Sequence, residues 1–274
     1  MIRENAKIDE EYVKNYCEKY KIELFVKHAE VEKIASDNKQ GLEETGRKIR
    51  YDFFEEVMQK TNSNKIAIAH NSNDNAETII MNLLRGSGVS GLKGIEPNRD
   101  NKYIRPLIKC AREEIEEYCK LNKIEPRIDE TNFENEYTRN KIRNICIPYI
   151  KSEFNPNIIN TLNRLSDTIR EEDEYILKEV KTAFNGMLEE KEDNQIVLDL
   201  KKYLELDKVI KKRIIIYTIN MLLGNSKDLQ KINIEDIVEM CEKNIGNKYL
   251  MPNKNVKVMV KNKKIFFIKN MLEI

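Results

Sequence analysis

The sequence predicts an α/β protein. Residues 1–150 form an open, incomplete sheet with flanking helices, and residues 151–274 form a mostly helical second domain ending in a β-hairpin. Three observations carry this. A short apolar run, Ile66–Ala69, feeds through a polar turn at His70 into a helix over Asp74–Arg85, the strand–turn–helix arrangement at which open α/β folds place ligands. Only two stretches of residues 1–150 read convincingly as strands, amid several helices that two strands rarely support. Beyond Asn157 apolar residues recur at helical steps, until Val256–Val260 and Ile265–Ile268 alternate around Asn262-Lys263 as a hairpin.

Taken in order, Arg3–Tyr20 has helical spacing, with Ala6, Tyr12, Val13, Tyr16 and Cys17 recurring. Ile22–Val26 is a short strand candidate, and residues 27–40 a polar connection with an apolar piece at Val31 and Ile34. Leu42–Lys60 is an amphipathic helix with Leu42, Ile49, Phe53, Phe54 and Val57 inward. In Asp74–Arg85, Ile79, Ile80, Leu83 and Leu84 form the apolar stripe; Asp74, Glu77, Thr78 and Arg85 face the other way. Asn73 or Asp74 can cap this helix and Gly86 can stop it. Gly86, Gly88, Gly91 and Gly94 then mark a mobile or tightly turned loop. Tyr103–Ile108 is extended because Pro106 bars Arg105 from helix. Ala111–Leu121 is a short helix, residues 125–135 a polar loop, and Tyr137–Ile150 a basic segment with Ile142 and Ile145 as its apolar positions. From Asn157 to about Glu190 runs one long helix, or two in line, of about 50 Å, a linker between the domains, with a coiled-coil pairing as the alternative. Gln195–Leu200 reads as a short strand, and Leu206–Leu223 and Ile234–Asn244 as helices of a small bundle.

The chemistry concentrates at the turn after Ile66–Ala69. His70 is followed by Asp74 and Glu77, two carboxylates one helical turn apart, a pair better suited to an ammonium or a magnesium ion than to a phosphate. Acidic residues also complement the dipole of any first helical turn, so a capping role stands beside the cation site at even weight. His70, at a strand end, is more often a satisfied polar residue than a catalytic one. Arg47 and Arg50 lie on the helix before the strand, where Glu43, Glu44 or Glu55 can pair with them at the surface. Arg85, at the base of the glycine loop, is placed to meet a phosphate. Arg139, Lys141 and Arg143 around Tyr137 can face an RNA backbone or simply form a solvated helix end.

Composition sets bounds. The 274 residues are 35% charged and 40% hydrophobic, enough for two domains with buried cores. Lys and Arg total 48 against 47 Asp and Glu, so a basic surface must be local. The five cysteines lie far apart without a CxxC pair, which fits a reducing cytosol and argues against zinc, a disulfide framework and sulfur-transfer chemistry. No run approaches a membrane span and no signal-peptide pattern is present, so a cytoplasmic protein is expected.

Six short stretches occur in a telling order: RENAKIDEEYVKNYC, EETGRKIRYDFF, HNSNDNAET with LLRGSGVSGLKGI, IRPLI, DETN, and YTRNKIR before a proline. Together they resemble the tRNA(Ile)-lysidine synthase family, densely over residues 1 to about 150 and more loosely to the hairpin. The resemblance implies a Rossmann-like, adenine nucleotide alpha hydrolase-like fold with a parallel sheet. It implies an ATP-dependent ligase that joins L-lysine to C2 of the wobble cytidine of tRNA(Ile) with a CAU anticodon. ATP adenylates the C2 oxygen with Mg2+ assistance, and the lysine amine then expels AMP. A cytosine carbonyl needs such activation because its oxygen is otherwise a poor leaving group. Carried over, Asp74 and Glu77 match the family's acidic pair beside lysine, with Asp74 the foremost, and His70 the histidine opening that motif. Arg47 and Arg50 match arginines near ATP, and Arg85 would lie near nucleotide or tRNA. Arg139, Asn140 and Arg143 match a basic, tRNA-facing motif; no residue is assigned to a metal.

The chain departs from the pattern. Many relatives have a second histidine and an extra aspartate where Asn71 and Asn73 stand, which weakens magnesium binding at this turn. The family's Ser-Gly-Gly-x-Asp-Ser phosphate loop occurs nowhere. The expectation is therefore a chain lacking the N-terminal strand-and-loop unit and the C-terminal tRNA-binding domain of long members, inactive by itself, or a non-catalytic tRNA- or partner-binding remnant. Strand edges left open in such a chain favour self-association, with a homodimer as the expected form.

Overall fold

The computed structural model describes residues 4–127, 135, 137–224, 229–244 and 249–270. The DETN stretch, residues 129–132, lies outside them. Two compact units divide at Ile169/Arg170, within a long helix.

In the first unit the elements are α1 (Glu4–Tyr20), α2 (Val31–Asp37), α3 (Leu42–Lys60), β1 (Ile66–Ala67), α4 (Ser72–Leu84), α5 (Val89–Leu92), β2 (Asn98–Arg99), β3 (Tyr103–Ile104), α6 (Arg112–Leu121) and α7 (Thr138–Lys141). A π-turn (Ile142–Cys146) joins α7 to α8 (Ile147–Glu153), and α9 (Ile158–Met187) follows. The sheet has the order β1-β3-β2. β1 and β3 are parallel, with Ile66 opposite Tyr103, and β2 adds an antiparallel edge, with Arg99 opposite Tyr103. Asp100 and Asn101, at φ 56° and 51°, turn the three-residue β2–β3 connection, residues 100–102, and the Lys102 N–H bonds the Arg99 carbonyl at 3.1 Å. At two residues β2 is too short to show alternation, so the sequence gives no sign of it.

Ile22–Val26 does not form a strand. The Ile22 N–H instead bonds the Cys17 carbonyl at 2.8 Å, behind left-handed Lys21, and closes the end of α1. Ile22 and Val26 stay exposed, because an apolar run becomes a strand only where another strand accepts its backbone bonds.

α4 differs from its sequence pattern at both ends. It begins at Ser72, two residues earlier than the pattern suggests, and Asn71, not Asn73 or Asp74, is the cap. Asn71 Oδ1 accepts from the Asp74 N–H at 3.0 Å, and Asp74 Oδ2 accepts from the Asn71 N–H at 3.0 Å, a reciprocal capping box. Ala76 and Ile80 pack with Ile142, Ile147 and Ile159. Leu83 and Leu84 run past this cluster and are 59% and 69% exposed, whereas Glu77, placed by pattern on the outer face, is 2% exposed. The glycine loop after α4 is tightly turned around the short α5, and Asn82 Nδ2 donates to the Gly91 carbonyl at 2.7 Å.

The second unit contains the rest of α9, β4 (Leu188–Lys191), β5 (Gln195–Asp199), α10 (Leu200–Leu204), α11 (Lys208–Leu223), α12 (Lys231–Glu242), β6 (Tyr249–Asn253), β7 (Val256–Lys261) and β8 (Lys264–Lys269). The predicted hairpin forms as β7–β8, with Asn262 and Lys263 left-handed at its tip. It belongs to a five-stranded antiparallel sheet of order β4-β5-β8-β7-β6, so this unit is more β-rich than its helical pattern suggests. β4 reads LEEK and β6 YLMPN; edge strands tolerate charge and proline and so lack the alternation of a half-buried strand. Phe184, Tyr203, Ile214, Ile219, Ile237 and Phe267 fill the core between sheet and helices.

Gly94 has φ +64°, and a Cβ there would collide with the Asn75 side-chain oxygen that accepts the Ile95 N–H at 2.6 Å. Gly94→Ala is expected to lower stability by about 1–3 kcal/mol, the cost of a strained backbone position. Urea unfolding checks this; an unshifted midpoint contradicts it.

Candidate functional site

The site is built where α4 meets the helix running from Thr138 to Glu153. Arg139 on α7 and Arg143 in the π-turn stand four residues apart and present both guanidinium groups to the first turn and a half of α4. Arg143 grips Glu77 with two donors, Nε to Oε1 at 2.6 Å and Nη2 to Oε2 at 3.0 Å. Arg139 bridges the carboxylates, Nε to Glu77 Oε2 at 2.8 Å and Nη2 to Asp74 Oδ1 at 3.0 Å. Arg143 Nη2 also reaches Asp74 Oδ1 at 3.2 Å. The buried Glu77 carboxylate is thus matched by a two-donor fork from Arg143 and a further charge-assisted bond from Arg139, the geometry that makes burial of a charge tolerable. The Glu77 hydrogen bonds hold the Arg143 pKa above the usual arginine value, so it is charged at every accessible pH.

Asp74 is the more open member, its side chain 17% exposed against 2% for Glu77. A carboxylate offers about four acceptor positions. Asp74 uses one on its cap and two on the arginines, leaving one that solvent or a ligand can reach.

His70 lies half-buried beside this cluster. Its Nδ1 accepts from Arg105 Nε at 3.1 Å. An arginine only donates, so Nδ1 carries no hydrogen; the neutral ring is protonated on Nε2 and presents a donor there. Burial pushes the His70 pKa below its usual value; Asp74 opposes this, while Arg105, Arg139 and Arg47 reinforce it. Arg105 is itself buried, and its Nη1 donates to the Glu96 carbonyl.

Arg47 is held at the rim of the same region. Its guanidinium lies 4.9 Å from the centre of the Tyr51 ring, and its Nη2 donates to the Tyr51 hydroxyl at 3.3 Å. Arg99 covers Tyr51 at 4.9 Å and Tyr103 at 4.3 Å, and the Tyr103 hydroxyl donates to Glu55 Oε1 at 2.5 Å.

The structure therefore brings together Asp74, Glu77, His70, Arg139 and Arg143, with Arg47 within electrostatic reach of His70. Arg139 and Arg143, read in the sequence as facing RNA, point their guanidinium groups at the two carboxylates. Asn140 is half-buried between them on α7, and Arg50 is exposed on α3. Arg85 is the exposed C-cap of α4, about 16 Å along the helix from Asp74, and does not join the group. Arg105 is the residue that sequence reasoning missed. The available signal was a charge at Tyr103+2 in an extended apolar stretch, which puts it on the same inward face as Tyr103.

Among the described residues no group of three or more His, Cys, Asp or Glu is placed to hold a metal ion. Both Glu77 oxygens and Asp74 Oδ1 are engaged by guanidinium donors and Asp74 Oδ2 by the Asn71 N–H, so these residues do not fit magnesium. None of the described helices is long and apolar enough to cross a membrane.

The PP-loop domain family matches residues 1–150. The tRNA(Ile)-lysidine synthase of Clostridium acetobutylicum is 45% identical over 251 residues, 91% of this chain and 54% of that protein. The enzyme of the same name from Clostridioides difficile is 41% identical over 92% of this chain and 54% of its own length. The chain thus spans about half the length of these curated relatives. A solved structure, the "U34-tRNA thiolase NcsA from Methanococcus maripaludis with its [4Fe-4S] cluster", superposes with a TM-score of 0.50 at 19% identity, covering 62% of this chain and 59% of that one, a likeness of fold.

Two outcomes follow from the charges. Glu77→Gln leaves two guanidinium groups without their buried partner. Because those groups are themselves 33% and 24% exposed, the loss should fall near the low end of the roughly 3–5 kcal/mol typical of a broken buried pair. Urea unfolding that shows no loss contradicts this. Arg105→Met should raise the His70 pKa, since Nδ1 becomes free to take a proton and one neighbouring charge disappears; an unchanged NMR titration would count against it. The depressed His70 pKa also means that the unfolded chain binds more protons below about pH 6.5, so this residue costs stability as pH falls through that value towards its folded pKa.

Proposed function

The chain belongs to the PP-loop family, and from that membership we propose that it carries the lysine-handling half of a tRNA(Ile)-lysidine synthase, an ATP-dependent ligase acting on the wobble cytidine of tRNA(Ile). The relatives supply the reaction class. The observation that carries the reading to these residues is the one open acceptor position on Asp74, beside a neutral histidine and a buried carboxylate that accepts three hydrogen bonds from arginines.

In this reading Asp74 binds the lysine ε-ammonium. A carboxylate fixed at its cap and by two guanidinium groups loses little freedom on accepting a further donor, which favours binding. Glu77 holds Arg139 and Arg143 in place and takes no part in proton transfer. ATP supplies the adenylyl group that turns the cytidine C2 oxygen into a leaving group. Asp74 takes a proton from the ammonium, and the free amine then bonds to C2 as the C2–O bond breaks and AMP departs. His70 presents its Nε2–H as a donor to an oxygen of the activated base or nucleotide. Arg47 and Arg50, on α3, offer positive charge to the same anion. Since the site residues do not fit Mg2+, no step is assigned to it.

A second reading is favoured by one observation. Residues 249–270 contain Lys254, Lys257, Lys261, Lys263, Lys264 and Lys269 and no Asp or Glu. Such a local excess suits a polyanion, so the second unit is read as a tRNA-binding domain, and the chain could serve as a non-catalytic binder.

The Ser-Gly-Gly-x-Asp-Ser sequence, a backbone anion cradle in the family, does not occur among the 274 residues. The 274 residues alone should therefore form lysidine at a negligible rate from ATP, lysine and tRNA(Ile); measured turnover would overturn the reading of half a site. Asp74→Asn should weaken binding of L-lysine, followed by ligand NMR, at least tenfold, and unchanged binding would remove Asp74 from its role. Salt-sensitive tRNA retention on filters, with neither lysine nor ATP binding, would select the second reading.

A further inference from the structure

Arg139 and Arg143 reach the carboxylates from a helix that is not regular. At its middle the Ile147 N–H bonds the Ile142 carbonyl, a step of five residues where an α-helix uses four. Residues Ile142–Cys146 therefore form a single π-turn with one extra residue. Pro148 follows immediately, at the start of α8. A proline has no N–H to donate and its ring clashes with the carbonyl four residues back, here Asn144, so a regular helix through this point is disfavoured.

The turn answers a packing demand as well. Ile142 and Ile147 are 3% and 5% exposed, and both enter the cluster with Ala76, Ile80 and Ile159. In a regular α-helix residues five apart point about 140° from one another and cannot share a cluster. The extra residue brings them to one side. Had the helix stayed regular with Ile147 in place, residues 138–143 would swing by about 100° around the axis and carry both guanidinium groups away from α4.

We propose that the π-turn at Ile142–Cys146, enforced by Pro148, is the positioning element of this site, and that Pro148 is a positioning residue acting through Arg139 and Arg143. With Ile142 and Ile147 both seated, the two forks meet Glu77 and Asp74 at the distances observed. A π-turn costs hydrogen-bond geometry and persists where a local arrangement requires it, which here is the paired clamp on a buried carboxylate. The proposal rests on the reading above only in calling this the lysine site.

The test uses the full 274-residue chain and the side-chain Nε–H resonances of its arginines. In the native chain the Nε–H groups of Arg139 and Arg143, both donating to Glu77, are expected to exchange slowly with water. In Pro148→Ala the turn is free to relax, and the Arg143 signal should exchange at least tenfold faster while circular dichroism and methyl dispersion report a folded chain. A regular helix can seat both isoleucines only if one residue between them is removed. Pro148→Ala combined with deletion of Asn144 places them four apart and should restore the slow exchange, a rescue that general loss of stability would not produce. A folded Pro148→Ala chain with native exchange rates overturns the proposal, and so does failure of the deletion to restore protection. Should Pro148→Ala alone not fold, the deletion variant decides by the same criterion. These signals report geometry whether or not lysine binds, so the proposal and the lysine reading fail separately.

Discussion

A carboxylate with almost no access to water, Glu77, held by two arginines of another helix, is the constraint around which the first unit is arranged. Removing an ionised carboxylate from water costs several kcal/mol unless its lone pairs are met by donors. Only a fork–fork arrangement supplies enough of them, so α4 and the Thr138–Glu153 helix must approach at one rotation and one height. Everything else in the first unit is compatible with that approach: alanine at position 76 allows the helices to come close, and the π-turn adjusts the rotation.

A polar network fixes the other face of α4. Asn75, buried at 3% exposure, donates to Asn163 Oδ1 at 2.8 Å and accepts the Ile95 N–H, while Asn163 donates to the Ser72 carbonyl at 3.0 Å. Ser166 donates to the Lys93 carbonyl at 2.6 Å. These bonds tie the first turns of α4 to the glycine loop and to the early part of α9. A buried network whose members are all satisfied is rigid and specifies one arrangement. The cap that orients Asp74 therefore sits on a helix braced from two sides, the preorganisation a binding carboxylate needs.

The strand–turn–helix unit at Ile66–Leu84 was legible because its signals are local: an apolar run, capping residues and a glycine stop. So was the β7–β8 hairpin, where alternation and a two-residue turn coincide. The pairing of Asp74 and Glu77 with Arg139 and Arg143 was not, since it joins residues more than sixty positions apart and no periodicity encodes which faces meet. Glu77 illustrates the difficulty. On the helical pattern it belongs to the polar face, and that is correct; the face is simply buried against arginines instead of water. Arg105 was hidden in the same way, as a buried charge satisfied by a ring nitrogen and a carbonyl. The π-turn left one trace, a proline one residue after an isoleucine five positions from another. That spacing fits no regular helix, and it becomes informative only once both isoleucines are known to be buried.

The balance of charge explains what kind of ligand such a site admits. Asp74 and Glu77 cancel Arg139 and Arg143, which leaves Arg105 and Arg47 as the excess, with the net field near His70 positive. That excess, added to burial, keeps His70 neutral. In the proposed lysine reading, this balance gives a reason for one ammonium to be accepted beside an anion. The carboxylate pair, which by itself looks like a cation trap, becomes selective because the helix cap and the two arginines together take three of the roughly four Asp74 acceptor positions.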